Sequence, residues 1–129
     1  MTFPFSPEKR GNFCIKCCPE PIEIGVSSTS GWQSSGWNVE NGMKIKITAS
    51  GSVGWGYGSS SPDGVYHPYN RVDDRFEHEA LLARVGGGEI FLVGSFYIGE
   101  PGIGSLEFIT NDVVRGDNSG SYQVRIECL

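Results

Sequence analysis

Positive charge is scarce in this chain: 10 Lys and Arg stand against 15 Asp and Glu, a formal net charge of −5. No basic cluster breaks that balance. The electrostatic footprint that phosphate backbones select is therefore missing, and nucleic acid is not an expected partner. Long apolar runs are missing as well, since none approaches the roughly 18 residues of a membrane-spanning helix. The first ten residues have neither the basic start nor the apolar core of a signal peptide. The expectation is a soluble chain without membrane insertion, cytoplasmic or released by a route that uses no signal peptide. Apolar residues do not recur every three or four positions, so amphipathic helices are not the main element. There is no internal repeat, and no low-complexity tract beyond Ser59, Ser60 and Ser61.

What the chain does have is turn chemistry and short alternating segments. It carries 19 Gly and 7 Pro in 129 residues. A chain of this length forms one domain that buries about two-thirds of its unfolded surface. Residues 1–20 are set apart by Pro4, Pro7 and Pro19, with Pro21 just beyond, and develop no periodic face; they read as an arm or capping segment. Residues 21–129 read as a single all-β domain, a β-sandwich of jelly-roll type, with seven or eight short strands. Ile22, Ile24 and Val26 share one side of the first. A polar, tryptophan-containing strand follows at 32–39, and Asn41-Gly42 marks a turn. Met43, Ile45, Ile47 and Ala49 then alternate with Lys44, Lys46 and Thr48, the period of a strand with one buried face. Residues 51–74 have no apolar period and read as one long surface loop, of the kind that often carries function. Residues 81–85, 90–93, 106–110 and 122–128 complete the set.

Four cysteines leave several outcomes open. Cys14, Cys17 and Cys18 cluster near one end and Cys128 stands at the other. Zinc sites usually draw ligands from two separated pairs, and adjacent Cys17 and Cys18 point apart in an extended segment, so one four-cysteine site is awkward. A disulfide through Cys128, tying the N-terminal segment to the last strand, is geometrically sensible in an oxidising compartment. Free buried thiols are the default reading.

The densest chemistry lies in residues 111–120. Asp112, Asp117, Asn118 and Asn111 offer carboxylate or amide oxygens, and Gly116 and Gly120 let the backbone curl. Calcium takes about 6 to 8 oxygen ligands at roughly 2.3–2.6 Å, from such side chains, backbone carbonyls and water. The spacing is not that of an EF-hand, and the same residue types also build ordinary hairpin turns. In the long loop, residues 62–70 bring His67, Asn70, Tyr66 and Tyr69 together. Aromatic faces suit the C–H surfaces of sugars, and His and Asn bond hydroxyls. The structural alternative is that the tyrosines pin the loop and His67 caps a carbonyl.

The order of these segments resembles the small calcium-dependent galactophilic lectins of the PA-IL-like family, a β-sandwich group from bacteria. The resemblance spans most of residues 22–126. It rests on residues 45–51 (IKITASG), the 62–70 loop with its His-Pro, residues 80–86 (ALLARVG) and 91–94 (FLVG), and above all the 111–121 loop. It implies one calcium held by loop side chains and backbone carbonyls, with two galactose hydroxyls completing the shell. The implied metal set is Trp55, Asp112, Val114, Asp117 and Asn118; the implied sugar-binding set is His67, Asn70, Asp112, Val113 and Asp117. Asp117 stands where the family has Asn, adding a negative charge, and Asn70 where it has the longer Gln. Tyr57 is the alternative to Trp55 for a carbonyl ligand. The 112–117 loop is about two residues shorter than in the family, and the threonine that lends a carbonyl there has no clear counterpart, so Val114 or Arg115 must substitute. A loop unable to close on the ion would let the Arg115 guanidinium pair with Asp112 or Asp117 instead.

The resulting expectation is a Ca²⁺-dependent lectin for galactose-containing glycans, not an enzyme, with homo-oligomers supplying avidity. The alternative is a non-catalytic structural or assembly module that kept the sandwich and lost sugar binding. Asp73, Asp74, Glu77 and Glu79, with Arg75 and His78 between them, read as a solvated segment rather than an acid/base pair, and no nucleophile motif accompanies them.

Overall fold

The computed structural model describes residues 18–129, which form ten strands and no helix. In chain order they are β1 (Ile22–Ser27), β2 (Gln33–Val39), β3 (Ile45–Ser50), β4 (Val53–Gly54), β5 (Ser59–Ser60), β6 (Leu81–Val85), β7 (Phe91–Leu92), β8 (Phe96–Gly99), β9 (Gly104–Thr110) and β10 (Ser121–Cys128). One four-stranded sheet runs β1-β10-β3-β8, a second runs β2-β9-β6-β7, and β4 and β5 make a small separate hairpin. Every pairing is antiparallel.

The two large sheets pack face to face because alternate residues on each strand are apolar. Val26, Ile45, Ile47, Tyr122, Val124 and Ile126 from one sheet meet Trp37, Val39, Leu81, Ala83, Val85, Leu106 and Phe108 from the other in a single core. The alternation read at residues 43–49 and 122–128 is realised in β3 and β10, which pair with Ile47 opposite Ile126. β6 is buried on both faces. Leu82 and Ile109, on the outer side, are covered by Trp32, Val72, Phe76 and Ile90, so the segment before β6 wraps over the second sheet instead of trailing into solvent.

Two strand assignments differ from the sequence reading. The long loop is interrupted by the β4–β5 hairpin, closed by the Trp55 amide bonding the Gly58 carbonyl at 3.0 Å. β8 was not anticipated; it adds to the open edge of β3, with Tyr97 turned inward against Phe91 at 4.9 Å and Phe96 and Ile98 exposed. The default of free thiols is also overturned for two cysteines. Cys18 and Cys128 form a disulfide with Cα atoms 5.2 Å apart, joining the segment ahead of β1 to the end of β10. Cys14 and Cys17, and nearly all of the arm assigned to residues 1–20, lie outside the described residues. Among the described residues, no helix is long and apolar enough to cross a membrane.

Candidate functional site

The site lies at one end of the sandwich, where four separate segments are brought together by strand register. β6 and β9 pair with Leu81 opposite Thr110. The residues just before β6 therefore face those just after β9: the Glu79 amide bonds the Asn111 carbonyl at 3.1 Å, and the Asn111 amide bonds the Ala80 carbonyl at 3.0 Å. The β4–β5 hairpin is sewn to the loop before β10 by paired bonds between Gly54 and Ser119, at 2.9 and 3.0 Å. The 62–70 loop joins through the Val113 amide, which bonds the Asn70 carbonyl at 2.8 Å. Asn70 sits at a φ of 61°, a left-handed conformation that Asn tolerates better than most residues.

Trp55, Tyr57, His67, Asn70, His78, Asp112, Val114 and Asp117 line one cleft, with a cavity volume of about 30 Å³. That volume holds a water or an ion and not a sugar ring. The metal and sugar residues inferred from the sequence thus largely converge. Val113 and Asn118 flank the lining: Val113 is half exposed beside Asn70, and Asn118 is buried beneath the loop. Tyr57, Tyr66 and Tyr69 expose most of their surface, with Tyr57 and Tyr69 packed near His67.

Each oxygen donor has a definite local role. Asp112 is buried; its Oδ1 accepts the Val114 amide at 2.8 Å and its Oδ2 lies 3.6 Å from His78 Nε2. The Asn118 side chain is oriented by its Nδ2, which donates to the Ser28 carbonyl at 2.9 Å, and its buried Oδ1 has no donor among the described residues. The exposed Asp117 carboxylate rests on Gly56, at a φ of 100°, where a Cβ would collide with it. The Arg115 carbonyl accepts the Asn118 amide at 3.2 Å, whereas no partner for the Val114 carbonyl is found among the described residues.

Two expectations are corrected here. The Arg115 guanidinium does not turn toward the carboxylates: Nε donates to the Ser30 carbonyl at 3.0 Å, and among the described residues no ion pair joins it to Asp112 or Asp117. Asn111 is not a free oxygen donor. Its Oδ1 accepts the Asp73 amide at 2.8 Å, and its Nδ2 donates toward the carbonyls of Asp73, Phe76 and Glu77 at 2.9–3.0 Å. It staples the 73–77 segment over the sandwich end.

Two residues of the site escaped the sequence reading. His78 and Glu79, taken for part of a solvated run, are 1% and 0% exposed. The chain's two histidines cluster beside Trp55 in tilted and edge-on contacts: ring centroids are 4.8 Å apart between His67 and His78, 4.8 Å between Trp55 and His67, and 4.7 Å between Trp55 and His78. Glu79 is held at a φ of 64°. Its carbonyl lies 2.9 Å from the hydroxyl of buried Tyr122, which shares its proton with the Ser61 carbonyl at 2.7 Å. Burial, and next the facing Asp112, push the Glu79 carboxyl up to about 9. Burial also holds the His78 imidazole below its ordinary value, against the pull of Asp112. A left-handed, fully buried Glu is not foreshadowed by local pattern; the sole signal was an apolar strand starting directly behind it.

Buried polar atoms are normally paired. Nine such side-chain atoms lack a partner among the described residues, and seven of them belong to Trp55, His78, Glu79, Thr110 and Asn118. The unpaired atoms are concentrated at this end of the molecule, as expected where a ligand completes the bonding.

Two four-stranded antiparallel sheets with a polar loop cleft at one end define a β-sandwich. Among solved structures, the chain is similar to a domain described as "EclA N-terminal domain; PllA-like lectin", at a TM-score of 0.67 and 23% identity, covering 83% of this chain and 95% of that one. At that identity the likeness establishes the fold. No family model matches the sequence, and no curated protein matches it.

Proposed function

We propose that this domain is a non-catalytic, calcium-dependent lectin of the PA-IL-like type that binds galactose-containing glycans. The observation that carries the reading is the direct bond between the two loops the chemistry requires. The Asn70 carbonyl and Val113 amide join the His67–Asn70 edge to the Asp112–Asn118 oxygen cluster, so a sugar held at one is within reach of the other. The fold neighbour, itself described as a lectin, supports carbohydrate as the ligand class.

The donors fit a hard cation. Asp112 and Asp117 offer carboxylate oxygens, Asn118 a buried amide oxygen with no donor among the described residues, and Trp55 and Val114 backbone carbonyls. This is the oxygen set that calcium selects. A bound calcium supplies coordination positions for two neighbouring sugar hydroxyls. His67 and Asn70 then bond the remaining hydroxyls, and Val113 and the exposed tyrosines offer apolar surface to the ring. Because the cleft is small and the ligand lies on its rim, single-site affinity is modest and a homo-oligomer would supply avidity.

The test is calorimetric titration of a galactoside into the full chain with calcium, after chelation, and with calcium on Asp117→Ala. Heat that requires both calcium and Asp117 supports the lectin; silence in every run with folded protein rejects it in favour of a non-binding assembly module.

A further inference from the structure

We infer that His78, Glu79 and Asp112 form a second, buried metal site, selective for a borderline divalent transition ion such as zinc. One donor atom from each of the three lies within 4.8 Å of the others. His78 Nε2 is 3.6 Å from Asp112 Oδ2 and 3.9 Å from Glu79 Oε2. Zinc–ligand bonds of 2.0–2.2 Å in a tetrahedral array place neighbouring donors about 3.4 Å apart. The two carboxylates therefore need to approach His78 by about half an ångström or less, and to lie no more than about 1.4 Å closer to each other, to share an ion.

Independent observations point the same way. Among the described residues, both His78 nitrogens and both Glu79 oxygens are buried with no partner in the hydrogen-bond network of the ionised carboxylates. Two carboxylates face each other there with no Lys or Arg paired to either among the described residues. That arrangement is costly unless a cation or a shared proton intervenes. Glu79 holds its place in a backbone conformation that a glycine would adopt freely. Such strain persists where the surroundings over-determine it, and here the Asn111 carbonyl and the Tyr122 hydroxyl fix the peptide on both sides.

The donor set separates this site from the proposed calcium shell. An imidazole nitrogen is a poor ligand for calcium, which prefers oxygen, but suits zinc and its neighbours. His78 also lines the cleft, which gives an ion its entry path and leaves a fourth position for solvent. Asp112 belongs to both sets and can bridge them with its two oxygens. The inference does not require that the domain bind sugar.

The experiment uses the full chain, stripped with chelator and dialysed against zinc, with bound metal counted by elemental analysis and a parallel cobalt sample read by visible absorption. The expected result is one zinc equivalent per chain. It should be lost or weakened at least tenfold in His78→Gln and Glu79→Gly, along with the intense cobalt bands of a four-coordinate site. Glu79→Gly suits the left-handed φ, so the test does not depend on a variant that fails to fold. Asp117→Ala, which removes a donor from the calcium shell alone, keeps the zinc equivalent while losing galactoside binding, so the two readings fail separately. Folded wild-type protein with no zinc, as a proton shared between Glu79 and Asp112 would give, overturns the site. So does a zinc equivalent unchanged in both variants.

Discussion

Single side chains at the sandwich end divide into those that hold loops and those that face the cleft, and the two kinds respond to different perturbations. Asp73 is a holder. The Arg75 guanidinium bonds both of its carboxylate oxygens, at 2.7–3.3 Å, and keeps its carboxyl below the ordinary value. A depressed carboxyl pKa contributes stability that is fully present above the unfolded value near 3.8 and fades as pH falls through the lower, folded one. Acid titration of Asp73→Asn should therefore show a shallower loss of stability below that pH than the parent. An identical acid limb would mean that the pair is screened by solvent. Gly56 is a facing residue despite having no side chain. Because the Asp117 carboxylate occupies the place of its Cβ, Gly56→Ala should cost about 1 kcal/mol of stability through the strained φ. It should also weaken calcium-dependent galactoside binding by tenfold or more through the displaced carboxylate. Thermal melts and calorimetry on one preparation separate the two effects.

At the scale of elements, the alternating strands were readable and the edges were not. β3 and β10 announce themselves because one face of each enters the core while the other carries Lys, Thr, Gln, Arg and Glu. β8 shows no such contrast: Phe96, Tyr97 and Ile98 are all apolar, and the strand exists because β3 leaves an edge to pair with. β4 and β5 are two residues each and depend on the Trp55–Gly58 turn and on the bonds to Ser119. The Cys18–Cys128 bridge closes a sequence separation of 110 residues. Removing it by Cys128→Ser should lower the unfolding free energy by about 2–4 kcal/mol, measured by denaturant titration. The β-sandwich itself should remain, since the core that defines it contains neither sulfur among its fully buried side chains. A change below 1 kcal/mol would show that the unfolded chain gains little freedom when the bridge is lost.

For the whole molecule, the proposed calcium acts as a ligand of the folded state. Its shell draws on the hairpin, the β9 exit and the loop before β10, so it cannot exist in an unfolded chain. Calcium at a hundredfold excess over its dissociation constant should raise the unfolding free energy by about 2.7 kcal/mol, with a matching rise in melting temperature that chelator reverses. No shift at saturating calcium would remove the basis for the lectin mechanism, whatever the fold resembles.

The amino-acid order by itself determined the all-β class, most core strands and the loops that carry oxygen donors, because strand period and loop chemistry are local properties written in neighbouring residues. It also named, from two distant loops and through a resemblance in motif order, residues that the structure brings to one cleft. The tertiary structure alone decided the fate of His78 and Glu79. In sequence they close a run of charged residues that reads as solvated, and only the pairing of Leu81 with Thr110 draws them beneath the 111–118 loop and out of water. It decided equally that Asn111 is a staple, that Arg115 turns toward Ser30, and that Cys18 meets Cys128. These outcomes depend on which distant segments become neighbours, and no local pattern encodes a neighbour that strand register supplies.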